Sequence, residues 1–299
     1  MIPSPPFDRP LLDRRRLRAL RAEVAGADFL LRRVAEELTE RLSLVQRRFE
    51  VGVDLAGYRG QLAQSLAAGG QIDRLVRLER DPAAFGPDRT GAVVGDEELL
   101  PFADGSVDLV ASALSLHLTN DTPGVFVQIR RALKPDGLFL AALLGGDTLS
   151  ELRASLLAAE AELHGGASPR VAPFVDLREA GALLQRTGFA LPVIDQDRLT
   201  VRYDTLFDLM RDLRAMGVTN MLSARSRRPV GRALFLRAAA IYAERFADSD
   251  GRLRATFDVI YLSGWRPHDS QQKPLKPGSA AMRLADALKS PPHGNDEPG

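Results

Sequence analysis

From Phe49 onward the chain alternates short apolar runs with amphipathic stretches, and few folds accommodate that alternation. The runs FEVGVDLA, RLVRLE, GAVVG, VDLVASAL and GLFLAALL begin near positions 49, 74, 91, 107 and 137. Their apolar residues are consecutive rather than alternate, so each reads as a strand buried on both faces. Between them lie helical or loop segments such as QLAQSLAAG and TPGVFVQIRRAL. Such strands form a parallel sheet covered on both sides, an α/β doubly wound domain whose ligands sit beyond the carboxyl ends of the strands.

The flanks follow a different rhythm. Residues 11–42 place Leu17, Leu20, Val24, Phe29, Leu30, Val34, Leu38 and Leu42 at helical spacing, which predicts two amphipathic helices, so that 1–42 forms an N-terminal helical segment. After 145 come helices in DTLSELRASLLAAEAEL and DLREAGALLQRTG, a strand in PVIDQDRLTVRY, and helices in TLFDLMRDLRAMG and GRALFLRAAAIYAERF. The late strand ATFDVIYLSGW is expected to return to the sheet, which makes about 204–250 a helical insertion within a domain spanning 43–266. Pro, Gly, Lys and Ser after that predict a mobile tail over 267–299.

Composition removes several classes of function. With no cysteine, disulfides, thiolate catalysis and cysteine-ligated metals are excluded. Forty basic against 39 acidic residues give a net charge of +1, so no global footprint for nucleic acid exists. No apolar run reaches the ~18 residues that span a bilayer. The Arg-rich start carries Asp8 and Asp13 and lacks an apolar core, so it reads as neither secretory signal nor transit peptide, and a cytoplasmic protein is expected. Arginines cluster at 14, 15, 16, 18 and 21 and again at 225, 227, 228 and 232. They read as a solvated helix face and a basic loop, or as peripheral contact with an anionic membrane surface or an acidic partner.

Acids mark the expected strand ends. Asp54 closes the first run, where a carboxylate can receive a cationic or hydroxyl-bearing ligand group. Gly57 and Gly60 after it permit a tight turn. Glu79 closes the second run, suitably placed for ribose hydroxyls, and Asp96 with Glu97 closes the third, suitably placed for an adenine amino group. Each acid alone reads as a helix cap or a loop carboxylate. Together they point to a nucleotide-like ligand, and the absence of G-x-G-x-x-G argues against NAD.

VDLAGYRG, GDEELLPFADGSVDLVASALSLHLTND and LKPDGLFLAALLGG resemble successive motifs of the class I S-adenosylmethionine-dependent methyltransferases. The resemblance implies a Rossmann-like seven-stranded sheet in the order 3-2-1-4-5-7-6 with the last strand antiparallel. It implies S-adenosylmethionine as cofactor, its methionine end at Asp54 and the loop of Gly57 and Gly60, its ribose at Glu79 and its adenine at Asp96. In that family the loop reads D-L-G-x-G-x-G; here Ala56 and Tyr58 replace two glycines. If position 58 needs positive φ, a tyrosine there costs about 1 kcal/mol or more.

FDR near the start, GGDTLSELR, FDLMRDLRAMGVTN and GSA near the end are similar more narrowly to the mitochondrial complex I assembly factor 5 family and its bacterial relatives. That likeness implies a maturation factor associated with hydroxylation of an arginine in the iron–sulfur subunit of complex I. The O-methyltransferase of malonyl-acyl-carrier protein is a cousin, which leaves a small-acid methyltransferase and a non-catalytic assembly chaperone as alternatives.

Asp147 leaves the fifth strand at the crevice and suits pairing with an arginyl substrate. Arg153 and Asn220 are further substrate-facing candidates, and Asp212, Met216 and Gly217 read as a helix end over the crevice. Thr148 and Glu151 fit a helix capping box. His117 follows the fourth strand, where a general base would act, or packs as a structural histidine. No histidine–carboxylate spacing marks a metal site, and Trp265 reads as packing.

Overall fold

Strands form where the apolar runs lie. In the computed structural model, which describes residues 4–272, these are β1 (Phe49–Leu55), β2 (Ile72–Glu79), β3 (Ala92–Val94), β4 (Val107–Ala113) and β5 (Leu133–Leu144). β6 (Ala190–Tyr203) and β7 (Leu253–Trp265) complete one seven-stranded sheet ordered β3-β2-β1-β4-β5-β7-β6. β1 to β5 pair in parallel, and β7 runs antiparallel between β5 and β6. The strand order, the antiparallel last strand and the α/β class are those expected from the sequence.

Helices cover both faces. α2 (Phe29–Ser43), α3 (Gln61–Ala68), α5 (Ser150–His164), α7 (Leu206–Ala215) and α8 (Arg232–Phe246) bury residues such as Leu38, Leu66, Leu209 and Tyr242 in one core. α4 (Thr122–Ala132) and α6 (Leu177–Arg186) cover the other face, where Phe126, Phe139 and Phe189 pack with centroids 5.0–6.5 Å apart. Asp121 caps α4, and Asp176 with Glu179 forms a full capping box on α6, satisfying amides a helix start leaves free.

α1 (Arg9–Ala22) belongs to neither layer. Asp8 caps it, accepting from the Leu11 amide at 3.1 Å. The segment before it bridges to Leu222 and shares a small third core with Met221, Leu118 and Ala172. The helix therefore lies across the carboxyl ends of the parallel strands.

The chain divides into two units, Met1–Pro267 and His268–Gly299. Of the second, residues 268–272 are described, with His268 Nδ1 2.7 Å from Ser270 Oγ. Most of the expected mobile tail, with GSA at 278–280, lies outside the described residues.

Candidate functional site

β1 delivers Asp54 fully buried at its carboxyl end, and the loop behind it turns back hard. Ala56 has φ 57° and Tyr58 φ 62°, so both non-glycine residues occupy the left-handed region. Each pays about 1–2 kcal/mol for that conformation. Gly57 cannot be replaced as they were, because a Cβ there would lie 2.3 Å from Asp54 Oδ1. Gly60 has φ 81° and opens α3.

Tyr58 is held on every side. Its amide donates to Glu79 Oε1 at 2.6 Å, and its hydroxyl donates to the Arg16 carbonyl at 2.8 Å. The guanidinium carbons of Arg16 and Arg59 lie 5.1 and 5.4 Å from its ring centroid. Arg59 donates to the carbonyls of Ala19 and Ala215, tying α1 and the end of α7 to the same loop. Gly217, at φ 79°, lets α7 end within contact of Arg16 and Tyr58, since a Cβ there would approach Arg16 Cα to 3.0 Å. The loop has become a fastening for α1.

The same helix reaches the strand-end acids. Arg9 meets Asp96 at 2.5 Å, Glu97 at 2.8 Å and Glu98 at 2.9 Å. Arg80 bridges Glu97 at 3.3 Å and Asp13 at 2.6 Å. These pairs hold Asp96 below the usual carboxylate range: burial raises it, and the Arg9 contacts more than reverse that. Two acids behave otherwise. Burial pushes Asp54 up to about 7; Arg77, 3.8 Å away, and the Ala63 amide pull the other way without reaching hydrogen-bond geometry. Burial, with the nearby Asp54 charge, pushes Glu79 up to about 8. Burial lowers Arg16 against the attraction of Glu97 and Glu79, so a guanidinium stands in the field of both acids.

Between these groups a cavity of about 30 Å³ remains, lined by Arg16, Ala56, Tyr58, Glu79 and Glu97 among others. That is room for a water or two. The acids of a nucleoside site are therefore present, but Glu79 is taken by the Tyr58 amide, Asp96 by Arg9, and the space by α1. S-adenosylmethionine does not fit this smaller cavity.

Beyond Tyr58 and Arg16, which border both spaces, lies a chamber of about 650 Å³. His117 is in its wall, edge-on to Phe174 at 5.6 Å. Burial pushes its pKa down to about 3, and its Nδ1 accepts from the Leu144 amide at 3.4 Å. The proton therefore sits on Nε2, which makes His117 a neutral donor rather than a base at pH 7. Asn220 also lines the chamber, its side chain donating to the Pro169 carbonyl at 2.9 Å and accepting from the Leu222 amide at 3.1 Å.

GGDTLSELR serves as a brace. Instead of capping α5, Thr148 donates to the Asp258 carbonyl at 3.1 Å and accepts from its amide at 3.0 Å. Glu151 accepts from the Thr256 amide and hydroxyl, and the Leu149 amide donates to the Thr256 carbonyl at 2.7 Å. The capping box does not form because β7 presents unpaired backbone groups beside this turn. Arg153 straps the carbonyls of Gly146, Thr148 and Ala172 at 3.3–3.5 Å. Asp147 is exposed and paired with Arg198. Neither Asp147 nor Arg153 lines the chamber.

The sequence predicts α1 as a helix but not its place over the strand-end acids. Arg14, Arg18 and Arg21 are exposed, as a solvated face requires, whereas Arg15 and Arg16 turn inward. The signal was distributed: strand-end acids without local counter-ions need cations from elsewhere. FDR, LHLTND and GVTN meet here, with Phe7 exchanging hydrogen bonds with Asn120 and Arg15 donating to the Asn220 carbonyl. Among the described residues no acid–histidine cluster could hold a metal ion, and no helix is long and apolar enough to cross a membrane.

Residues 49–141 match the family profile of a methyltransferase domain. The chain is 39% identical to the arginine-hydroxylase NDUFAF5 of Danio rerio mitochondria, over 88% of this chain and 83% of that protein. It is 35% identical to a malonyl-[acyl-carrier protein] O-methyltransferase of Methylovorus, over 87% of this chain and 91% of that one. The YcgJ protein of Bacillus subtilis superposes with a TM-score of 0.54 at 14% identity, covering 78% of this chain and 99% of that one, which attests the fold.

Proposed function

Because the chain belongs to the methyltransferase-fold family of the arginine-hydroxylase NDUFAF5, we propose that it is an arginine-directed maturation factor for the iron–sulfur subunit of respiratory complex I. The observation that carries this reading is the place of Arg16. Where the resemblance puts the ribose of a methyl donor, this chain holds a guanidinium in the field of Glu79 and Glu97. Glu79, buried with its pKa raised, is costly to ionise unless a cation compensates it. A guanidinium from a protein substrate would favour the ionised form of Glu79 and pair with it, exchanging with Arg16 as α1 loosens. Glu79 and Glu97 would hold the substrate group, and Asp147 on the same end of the sheet would meet an incoming basic segment by releasing Arg198.

S-adenosylmethionine would enter the acid cradle only after α1 lifts and Tyr58 turns out of the loop. This disfavours the malonyl-acyl-carrier-protein methyltransferase reading, although the alignment with that relative covers 91% of it. The protein is expected in the cytoplasm, meeting its substrate at the inner face of the membrane.

Mass spectrometry of the iron–sulfur subunit from a deletion strain tests this reading. Loss of one added oxygen on an arginine, restored by the wild-type gene but not by Glu79→Gln, is expected. An unchanged arginine mass with normal complex assembly would contradict it, and growth rescue by biotin would support the methyltransferase alternative.

A further inference from the structure

The larger chamber has a chemistry opposite to that of the acid cradle. Its walls are apolar, built from side chains such as Leu30, Leu114, Leu144, Leu152, Phe174 and Met216, and Asp28 is the only acid among the described residues that line it. That carboxylate already pairs with Arg32 at 2.9 Å and Gln61 at 2.8 Å. Seven arginines border the space: Arg15, Arg16, Arg18, Arg59, Arg170, Arg211 and Arg214. Arg170 and Arg211 have carboxylate partners in Glu160 and Asp208, and Arg59 is spent on carbonyls. Among the described residues Arg18 on α1 and Arg214 on α7 have no carboxylate within ion-pair distance, and Arg15 donates to the Asn220 carbonyl.

We propose that this chamber binds a single-chain amphipathic anion of the fatty-acid class, with its alkyl chain among the leucines and its carboxylate on Arg15, Arg18 and Arg214. Three points support it. At about 650 Å³ the chamber is within the range of about 300–1,000 Å³ typical of small-molecule sites, which are mostly apolar with a few convergent polar groups. An arginine or other cationic guest finds no free acid there among the described residues. And burial together with the charges of Arg225, Arg18 and Arg14 pulls the Arg15 pKa down, so an anion at this rim relieves a standing repulsion. The chamber is separated from the cradle by Tyr58 and Arg16, so this inference does not rest on the proposed arginine substrate.

Titration calorimetry on the full chain, with monomeric octanoate, decanoate and dodecanoate below their micellar concentrations, tests it. Affinity is expected to rise by about fourfold per added methylene until the chamber is full. Decanol and decylammonium of equal length are expected to bind at least tenfold more weakly. The double variant Arg18→Glu/Arg214→Glu, at two chamber-rim positions, should lose the preference for the anion while Arg18→Lys/Arg214→Lys keeps it. Equal binding of acid, alcohol and amine would overturn the proposal, as would absence of binding by a folded wild-type protein. Sedimentation with phosphatidylglycerol vesicles but no binding of soluble decanoate would also overturn it, assigning the arginines to a membrane surface instead.

Discussion

Tyr58 and Arg16 hold each other twice. The phenol hydroxyl donates to the Arg16 carbonyl at 2.8 Å, and the Arg16 guanidinium lies 5.1 Å from the ring centroid. This pair walls an acid-lined cavity of about 30 Å³ from an apolar chamber of about 650 Å³. A glycine at position 58, as the methyltransferase loop prefers, would leave the two spaces joined.

The strain in the loop is separable from its grip. Ala56 carries positive φ and no hydrogen-bonding side chain. Ala56→Gly should therefore stabilise the protein by up to about 1 kcal/mol, the left-handed cost recovered less the entropy of glycine. Tyr58→Phe keeps the ring but loses the bond to Arg16, and should destabilise by about 1 kcal/mol. Urea denaturation of both variants measures the two terms.

Asp54 and Glu79 set a pH dependence with a definite sign. Their folded pKa values, about 7 and about 8, lie above the unfolded values of 3.8 and 4.5. The folded protein thus binds more protons between those limits, and stability from these groups, complete below about pH 4, falls as pH rises through about 8. Asp54→Asn should be more stable than wild type at pH 9, on the order of 3 kcal/mol, and no more stable at pH 4. Thermal melts across that range would show it.

His117 acts in the opposite sense. Its folded pKa of about 3 lies below the unfolded value of 6.5, so its contribution is complete above about pH 6.5 and is lost as pH falls toward 3. His117→Asn should flatten the acid limb of the stability profile. If His117 were instead the catalytic base, the variant's activity would lose an ionisation near neutrality; none is expected.

Thr148→Val removes a buried hydroxyl that both donates to and accepts from the Asp258 backbone. An amide left without a partner costs about 1–3 kcal/mol, so denaturation should show a loss of at least about 2 kcal/mol. Asp147→Asn, on an exposed pair, should change stability by less than about 1 kcal/mol.

The strands, most helices and the acids of the crevice were legible because each is written locally, in apolar runs and in carboxylates at their ends. The role of GGDTLSELR was not. Thr148 and Glu151 have the spacing of a capping box, and nothing nearby in sequence shows that Thr256 and Asp258 on β7 compete for the same groups. Arg16 was illegible for a related reason. An arginine on a basic helix face reads as solvated until the buried acids that face it, from loops far along the chain, are in place.

The proposed arginine-directed function requires the cradle to take a guanidinium rather than a methyl donor. Calorimetry on Arg16→Ala, titrated in turn with arginine amide and S-adenosylmethionine at pH 8, tests this most directly. Arginine amide should bind the variant at least tenfold more tightly than wild type, with Glu79→Gln abolishing the gain, and S-adenosylmethionine should give no heat with wild type. Micromolar binding of S-adenosylmethionine by the wild-type chain, with no response of Arg16→Ala to arginine amide, would contradict it.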